Sequence, residues 1–469
     1  MKTRYDAIVI GAGPAGLACS AEMAARGLEV ALLDEQANPG GQIYRNISKA
    51  SPKQHAILGE DYSAGMELIR VFREAPVEYF PQTRVWQAEP NGDVFFSRNG
   101  GSRKVSGDYL VLSTGALERP VPFPGWTLPG VMTCGGMSNL FKDSSLSPIE
   151  PVVLAGSGPL LWLVAEHLFA LEAPVAAILD TTPQTQIFPA FKHMPRALRR
   201  FGFLLKGVKM IADVQITALK RKVPIHRGVK DLCAEGRDRL ERVLATRGKK
   251  ELSFEATTLL VSEGIIPNTS LLRQVGCTHT WDPVQRFWHP DVTVDGRTNL
   301  PAVFVAGDGN FVHGAKAAEF KGRLTALTIA LEMHRISRAE YLELSAPVRR
   351  QLDRELFPRP FIDAMYAPRK DLYSLTEETI VCRCEGVTAG RIRALVEEGY
   401  TDHNEIKAMI RCGMGPCQGR MCSSAVFELI AGHSNLPPRE IRQHRLRPPI
   451  KPVSLGELAN ANIGGPDES

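Results

Sequence analysis

A glycine-rich turn near the N-terminus constrains the fold of this chain more than any other feature. Gly11-Ala-Gly13-Pro14-Ala15-Gly16 separates a short apolar run, residues 7–10, from a helical run, residues 15–26. In such a unit Gly11 permits a tight turn, Gly13 lets the backbone approach a pyrophosphate, and Gly16 allows close helix–strand packing. The helix N-terminus supplies amide donors and positive potential for the phosphates. The pattern predicts a dinucleotide-binding βαβ unit.

The second strand of this unit ends in two acidic residues. Asp34 follows the apolar run 30–33 at the position where a carboxylate accepts hydrogen bonds from a ribose, and Glu35 is the alternative. Pro39-Gly40-Gly41-Gln42 comes next, at a distance suited to a second phosphate contact. We therefore expect Gly41 and Gln42 to belong to the same nucleotide site.

A second βαβ unit begins at residue 151. It has a strand, a turn at Gly156-Ser-Gly158, a helix to about residue 171 and a strand that ends near Asp180. Since 469 residues are too many for one hydrophobic core, the spacing of the two units predicts an α/β protein with two Rossmann-like domains. The second domain is expected to be inserted into the first.

Two further turns follow apolar strands. Thr114-Gly115 ends one strand, and Gly307-Asp308 ends another, with Asp308 placed to bond a ribityl chain. We expect a helix that begins near Ala315 to direct its N-terminal amides toward the site that these two turns form. These segments, in this order, resemble the flavoprotein family related to thioredoxin reductase over residues 5–335. The resemblance implies bound FAD.

The chain departs from that family in two places. Thioredoxin reductases carry a C-x-x-C near the start of the second domain, where this chain has only Cys134, so we expect no dithiol chemistry and a small buried side chain there. The second turn has Leu161 where a third glycine is usual. Asp180 would bond a 2′-hydroxyl and repel a 2′-phosphate. Two interpretations stay open: an NAD(H) site, or a relic kept for the fold.

Five cysteines crowd the C-terminal region: Cys382, Cys384, Cys412, Cys417 and Cys422. Thiolates at this density suit zinc or an iron–sulfur cluster, and C-x-C is an awkward zinc motif. Spacing alone does not select four ligands, because two C-x4-C pairs overlap. The arrangement resembles the bacterioferritin-associated-ferredoxin type of [2Fe–2S] domain, which is small and mostly helical. That resemblance implies Cys382, Cys384, Cys417 and Cys422 as ligands and leaves Cys412 in a packing role.

The predicted organisation has five parts. They are an FAD-binding domain (1–125 and 288–335), a second NAD-like domain (126–287), a connector (336–376), the [2Fe–2S] domain (377–432) and an extended tail (433–469). Prolines make the tail a poor helix and suit it to wrapping on a partner.

Nearly the full length resembles one family: the FAD- and [2Fe–2S]-containing A (α) subunit of amine-oxidising dehydrogenases. Its members include opine oxidases, hydroxyproline or proline dehydrogenases and hydrogen cyanide synthase. The resemblance implies a B (β) subunit with its own FAD that oxidises a C–N bond, and an acceptor such as a quinone. It leaves open an FMN between subunits and a small ferredoxin-like subunit. His313 is the candidate for proton handling or flavin contact.

Two other functions remain as alternatives: a self-sufficient NAD(H)-dependent reductase, and a non-catalytic scaffold that carries cofactors. A net charge of +5, spread over 56 basic and 51 acidic residues, argues against nucleic-acid binding. Neither a secretory signal nor a transmembrane run is recognisable. Clustered cysteines suit a reducing compartment, so we expect a cytoplasmic protein, with peripheral attachment at the inner membrane face as a variant.

Overall fold

The computed structural model describes residues 2–461 and has an α/β architecture. The strands are β1 (Arg4–Ile10), β2 (Val30–Leu33), β3 (Glu78–Phe80), β4 (Arg84–Ala88), β5 (Asp93–Arg98), β6 (Gly101–Leu112), β7 (Ala116–Glu118), β8 (Val131–Thr133), β9 (Val152–Ser157), β10 (Val175–Asp180), β11 (Ile225–Arg227), β12 (Lys230–Glu235), β13 (Arg242–Arg247), β14 (Lys250–Glu255), β15 (Thr258–Glu263), β16 (Ile265–Pro267), β17 (His279–Asp282), β18 (Phe287–Pro290), β19 (Val303–Val305), β20 (Ile380–Cys382) and β21 (Val387–Thr388).

The α-helices are numbered in the same way. They are α1 (Pro14–Ala24), α2 (Pro52–Ser63), α3 (Gly65–Glu74), α4 (Cys134–Ser144), α5 (Pro159–Ala170), α6 (Ile187–Phe191), α7 (Met194–Ala197), α8 (Phe201–Lys220), α9 (Ser270–Val275), α10 (Ala315–Glu332), α11 (Arg338–Leu356), α12 (Arg359–Met365), α13 (Ala389–Glu397), α14 (His403–Ile410), α15 (Ser423–His433) and α16 (Leu455–Ala459). No helix among residues 2–461 has the length and apolar character needed to cross a bilayer.

The first sheet has seven strands in the order β3-β2-β1-β6-β5-β4, with β19 added to β6. Strand β1 pairs in parallel with both β2 and β6, and β19 pairs in parallel with β6. Helices α1 and α10 cover one face, and Leu17, Leu32 and Phe304 lie in the core between them. The chain leaves this sheet after β6 and returns to it only with β19.

The second sheet lies within that excursion and is wholly parallel, in the order β11-β10-β9-β15-β8. Its central strands are continuous apolar runs because helices and the antiparallel β12–β14 sheet cover both faces. The two-stranded pair β7–β16 joins the two halves. The predicted class, with two Rossmann-like units, is confirmed.

Helices α13–α15 and the hairpin β20–β21, which span residues 380–433, form a compact unit that we call the cysteine domain. Its core includes Ile392, Leu395, Val426 and Ile430. These residues fall on one face of each helix, which explains why the predicted helices form. The expectation of a small, mostly helical unit is confirmed.

The tail packs on the chain itself. Leu446 and Ile450 join the core of the first sheet, and Ile450 donates its amide to the carbonyl of Trp86 at 3.0 Å. Helix α16 follows, and its Glu457 pairs with Arg84 at 2.9 Å. Leu446 and Ile450 are thus buried within the chain itself, whereas Leu455 and Leu458 of α16 are exposed, and wrapping of the tail on a partner stays a prediction. Residues 462–469 of the predicted tail lie outside the described residues.

Candidate functional site

The glycine turn after β1 has room for backbone only. A Cβ at Gly11 would lie 2.5 Å from the carbonyl oxygen of Ser113, and one at Gly16 would lie 1.9 Å from that of Gly11. A Cβ at Gly41 would come 2.7 Å from the Cα of Gly13. Two glycine backbones therefore face each other beside the first turn of α1, which begins at Pro14 and has no side-chain cap. Exposed amides and missing side chains fit a pyrophosphate.

The two acidic candidates after β2 have different partners. Asp34 is buried against the glycine turn and accepts hydrogen bonds from the amides of Ala12 and Gln36. Burial raises its pKa, and these two hydrogen bonds act in the opposite direction. Glu35 is exposed and forms an ion pair with Lys451 of the tail. Asp34 is thus the carboxylate that lies beside the nucleotide turn.

The turn that contains Gly41 and Gln42 is held by α4. Lys142 is buried and donates to the carbonyl oxygens of Gln42 at 3.0 Å and Ile43 at 3.1 Å. The side chain of Gln42 accepts a hydrogen bond from Asn139 at 2.7 Å. Burial lowers the pKa of Lys142 to about 8. Sequence reasoning missed this lysine, because nothing near it in the chain marks it as a partner of the turn.

The turn after β19 closes the same site. Gly307 has a positive φ, and a Cβ there would lie 2.6 Å from the Cβ of Ala15 in α1. Asp308 accepts hydrogen bonds from the amides of His313 and Gly314, at 2.9 and 3.3 Å, and so fixes the entry to α10 at Ala315. The two helix N-termini predicted to face the cofactor therefore lie side by side.

Thr114 and Gly115 lie between these turns. The Thr114 hydroxyl donates to the carbonyl of Asn268 at 2.8 Å, and Asn268 donates its amide to Gly115. A Cβ on Gly309 would lie 3.3 Å from the Thr114 hydroxyl oxygen, so the β6 and β19 turns are in contact. All of the predicted FAD residues except Glu35 thus line or support one site, which we call the nucleotide cradle. Side chains are missing from this cradle at the positions where a dinucleotide needs space. The cradle fits FAD.

His313 lies beside this cradle but is poorly suited to proton transfer. Its ring stacks on Phe311, with centroids 5.2 Å apart, and its Nδ1 has no hydrogen-bond partner among the described residues. Burial lowers the pKa of His313 to about 2, so the ring stays neutral at ordinary pH. A buried, neutral ring is suited to contact with a bound group and not to proton transfer.

The second glycine turn has a different surrounding. Gly156 has a positive φ, and a Cβ there would lie 1.9 Å from the carbonyl oxygen of Ser262. Leu161, at the position where a third glycine is usual, is fully buried and packs in the core of the second domain with Leu154 and Leu168. Asp180 accepts a hydrogen bond from Thr182 at 2.9 Å.

The predicted connector covers the carboxyl ends of the second sheet. Tyr366, which follows α12, is close enough to Asp180 for the carboxylate to raise the pKa of its phenol, although burial is the larger cause. Arg369 donates to the carbonyl of Val229 at 3.4 Å, and its charge lowers the pKa of buried Glu263, which burial itself raises. Dinucleotides bind in the crevice outside the carboxyl ends of such strands. Part of this crevice is therefore filled by protein.

Cys134 is fully buried at the start of α4. Burial raises its pKa well above the usual range, so the thiol is inert. The nearby carboxylate of Glu118 acts in the same direction. Cys134 is therefore the small buried side chain that the sequence predicts.

Three cysteine thiols of the cysteine domain form a tight group. The sulfur atoms of Cys382, Cys412 and Cys422 lie within 4.8 Å of one another, and all three side chains are buried. Hydrogen bonds from the thiols of Cys412 and Cys422 hold the pKa of Cys382 below its usual range. Amides of Gly413 and Glu385 also donate to the Cys382 sulfur. Such a thiolate is ready to bind a soft metal.

The other two cysteines lie at the open side of this group. Cys384 is exposed, and its thiol interacts with that of Cys417, whose amide donates to the Cys384 sulfur. A Cβ at Gly415 would lie 2.2 Å from the Cβ of Cys384, so the 413–419 turn folds directly over the C-x-C hairpin. Five thiols, with backbone amides around them, fit a [2Fe–2S] cluster, whose negative charge those amides stabilise.

Cys412 lies nearer the centre of this group than the sequence suggested. Arg411 ends α14 in a left-handed conformation, and this bend turns Cys412 inward toward Cys382 and Cys422. The assignment of Cys382, Cys384, Cys417 and Cys422 as ligands remains a prediction, with Cys412 at contact distance from two of them. The signal that could have placed Cys412 is the Arg-Cys-Gly sequence at a helix end.

The cysteine domain is anchored to the rest of the chain at several points. Trp126 donates its indole N–H to the carbonyl of Ile380 at 2.6 Å. Phe427 of α15 packs against Trp281 and Trp288 of the β17–β18 hairpin, with ring centroids 4.4 and 5.7 Å apart. These contacts attach the cysteine domain to the second domain and to the β17–β18 hairpin.

Comparisons with known proteins agree with both halves of this description. Residues 5–333 match the family model described as pyridine nucleotide-disulphide oxidoreductase, and residues 380–432 match the BFD-like [2Fe-2S] binding domain. The chain is 40% identical to the A subunit of opine oxidase from Agrobacterium tumefaciens (strain Ach5), over 97% of this chain and 92% of that protein. It is 32% identical to the HcnB subunit of hydrogen cyanide synthase from Pseudomonas aeruginosa, over 97% and 98%.

A solved structure also shares the fold over nearly the whole chain. The L-proline dehydrogenase from P. horikoshii superimposes with a TM-score of 0.71 at 20% identity, over 97% of this chain and 79% of that one. At that identity the likeness concerns the fold alone.

Proposed function

Because the chain belongs to the pyridine nucleotide-disulphide oxidoreductase family, among its FAD- and [2Fe–2S]-containing A subunits, we propose that it is the electron-relay subunit of a multi-subunit dehydrogenase. The partner B subunit oxidises a C–N bond of an amino acid or opine. The acceptor beyond this chain is a quinone or a similar carrier.

The fixed anchoring of the cysteine domain supports this proposal most directly. Trp126, Phe427 and the two hairpin tryptophans attach it to the rest of the chain, Trp126 through the core of the second sheet. When bound, FAD exchanges electrons singly or in pairs, and a [2Fe–2S] cluster exchanges one electron at a time. Rigid attachment keeps the flavin site and the cluster site at a constant separation. Electron transfer between two cofactors requires such a separation, whereas a scaffold that only carries cofactors does not.

The residues around the cradle support a role in electron transfer rather than in substrate oxidation. His313 stays neutral because burial lowers its pKa to about 2, and Cys134 is a single inert thiol. The groups that this chain supplies thus bind and orient a cofactor. Proton abstraction from an amine then falls to the partner B subunit.

The second dinucleotide fold is proposed to be a relic. A buried core leucine, Leu161, replaces the third glycine of its turn, and Tyr366 and Arg369 occupy the region outside its strands. Asp180 is the feature that favours the rival function, an NAD(H)-dependent reductase. Its carboxylate already accepts a hydrogen bond from Thr182.

The deciding experiment uses the complex purified with its partner B subunit, mixed anaerobically with candidate amines: octopine, nopaline, hydroxyproline, proline and glycine. We expect one of them to produce the electron paramagnetic resonance signal of a reduced [2Fe–2S] cluster within turnover time. The same complex mixed with NADH should keep its flavin absorption. Rapid flavin bleaching by NADH, with no response to any amine, would establish the reductase. Amine turnover with a permanently oxidised cluster would establish the scaffold.

A further inference from the structure

A cavity of about 70 Å³ lies where the cysteine domain meets the rest of the chain. Strands β7 and β16 form one wall with Leu117 and Pro267, and the aromatic rings of Trp281, Trp288 and Phe427 form another. We call it the interdomain cavity. A single water molecule needs about 10–15 Å³ of such space, so the cavity has room for a group of several heavy atoms.

Two arginines give the interdomain cavity a positive charge. Arg273 of α9 reaches it from one side, and Arg420, between two cysteines, reaches it from the other. None of the residues that line the cavity is acidic. Within residues 2–461 neither guanidinium forms a salt bridge, and Arg273 donates only to the carbonyl of His444. Both arginines are half-buried, and a half-buried cation without a counter-charge is costly, so an anion bound in the cavity would stabilise them.

Two stacked histidines add unused polar atoms to the cavity wall. His403 and His444 are almost wholly buried, and their rings lie 4.9 Å apart at an angle of 17°. In the described part of the chain, the Nε2 atom of His403 and both ring nitrogens of His444 lack a hydrogen-bond partner. The indole N–H of Trp288 is likewise without a partner there. Buried polar groups in native proteins are nearly always satisfied, so this concentration points to a missing ligand.

Hydroxyl donors complete the lining. Ser423 and Ser424 begin α15, an eleven-residue helix whose N-terminus has no side-chain cap. The Ser423 hydroxyl already donates to the carbonyl of Gly419, so Ser424 is the serine of this pair that can donate into the cavity. Thr269 and Ser270 face them from the loop that precedes α9. Guanidinium, imidazole, indole and hydroxyl donors therefore converge from the two sides of one small space. Donors with this charge and from several directions suit a tetrahedral oxyanion.

We propose that the interdomain cavity binds phosphate, free or as the terminal group of a small phosphate ester. The bound anion bridges Arg273 on the nucleotide-binding side and Arg420 on the cysteine-domain side. It thereby tightens the attachment of the cysteine domain. The inference needs neither the electron relay nor a partner protein, so it stands apart from the proposed function.

The test uses the full-length holoprotein and isothermal titration calorimetry with sodium phosphate, with sodium chloride at equal ionic strength as reference. We expect saturable phosphate binding and a higher melting temperature in phosphate. R420Q and H403Q should each weaken phosphate binding by about tenfold. R439Q, which alters an exposed arginine outside the cavity, should bind like the wild type.

A parallel titration with AMP distinguishes free phosphate from a phosphate ester as the bound group. Tighter binding of AMP than of phosphate assigns a phosphate ester, and the reverse assigns the free ion. If phosphate and chloride have equal effects on the wild type, the proposal is wrong. Equal phosphate affinity in the wild type, R420Q and H403Q also overturns it. Phosphorus NMR line broadening in the wild type and R439Q provides a second readout that does not depend on the folding of either cavity variant.

Discussion

Arg286, in the turn between β17 and β18, forms a two-point ion pair with Glu428 of α15, in which its Nε donates to Glu428 Oε1 at 2.9 Å. The Glu428 side chain is only 7% exposed, so this ion pair joins the cysteine domain to the β17–β18 hairpin in an interface that is largely shielded from water. Arg286 also donates to the carbonyls of Arg369 and Lys370. One guanidinium therefore joins the hairpin, the connector and the cysteine domain.

Breaking this pair on one side should destabilise the chain. R286M leaves the Glu428 carboxylate buried without a partner, which costs about 3–5 kcal/mol. The double variant R286M/E428M removes both charges and should recover most of that loss. Chemical denaturation followed by circular dichroism measures both. R70M, which breaks an exposed pair with Glu67 and Glu74, is the control and should cost about 0–1 kcal/mol. Equal losses for R286M and R70M would contradict the role given to the interface.

Separate substitution of each clustered cysteine tests the ligand assignment. Under the predicted set, C382S, C384S, C417S and C422S lose the visible absorption of the [2Fe–2S] cluster, and C412S keeps it. The reason for testing Cys412 is its contact with Cys382 and Cys422. Iron and sulfide analysis of the purified variants is the measurement, and C233S, at a distant strand, is the control. Loss of the cluster in C412S with retention in C417S would reassign the fourth ligand.

Gly16 should tolerate no side chain. In G16A the new Cβ would lie 1.9 Å from the Gly11 carbonyl oxygen, which belongs to the backbone of the nucleotide turn. We expect loss of FAD, measured as the flavin-to-protein absorbance ratio, together with lower stability. G202A is the matched control, because Gly202 also lies in a helix but has open space around it. Its helix should gain about 1 kcal/mol. FAD retained at full occupancy in G16A would contradict the geometry of the cradle.

The sequence predicted the parts of the molecule that local patterns determine. The turns at Gly11, Gly41 and Gly307 show their function locally, since a missing side chain after a strand usually means that backbone or a ligand needs the space. Contacts between distant segments left no such signal. Neither the burial of Leu446 in the first sheet nor the position of Tyr366 beside Asp180 follows from the residues around them. Such contacts depend on how complete helices and strands pack against each other, and many different local sequences would allow the same contact.

Lys142 makes a pH-dependent contribution to stability whose sign can be worked out. Burial lowers its pKa from 10.5 to about 8 in the folded chain. Between pH 8 and 10.5 the unfolded state therefore binds more protons at this site, so stability from Lys142 rises with pH across that window. K142M should remove this rise. Melting temperatures measured from pH 7 to 10 in the wild type, K142M and the exposed-site control K49M separate this contribution from other groups. Parallel curves for the wild type and K142M would show that the amine is not buried as described.

The tail should behave as part of the first domain. Leu446 and Ile450 are 8% and 4% exposed in the core of the first sheet, whereas Leu455, in α16, is 85% exposed. Truncation of a buried leucine or isoleucine leaves a cavity and costs about 2–5 kcal/mol, so L446A and I450A should each lower the free energy of unfolding by that amount. L455A should change it by less than about 0.5 kcal/mol. Because His444 lies just before Leu446, loosening this anchor should also free the histidine that packs against Gly413 and Gly419 beside the cysteines. We therefore expect L446A to speed the loss of iron on chelator treatment, while L455A keeps the wild-type rate. Identical rates in the two variants would mean that the tail stabilises the first sheet without supporting the cysteine domain.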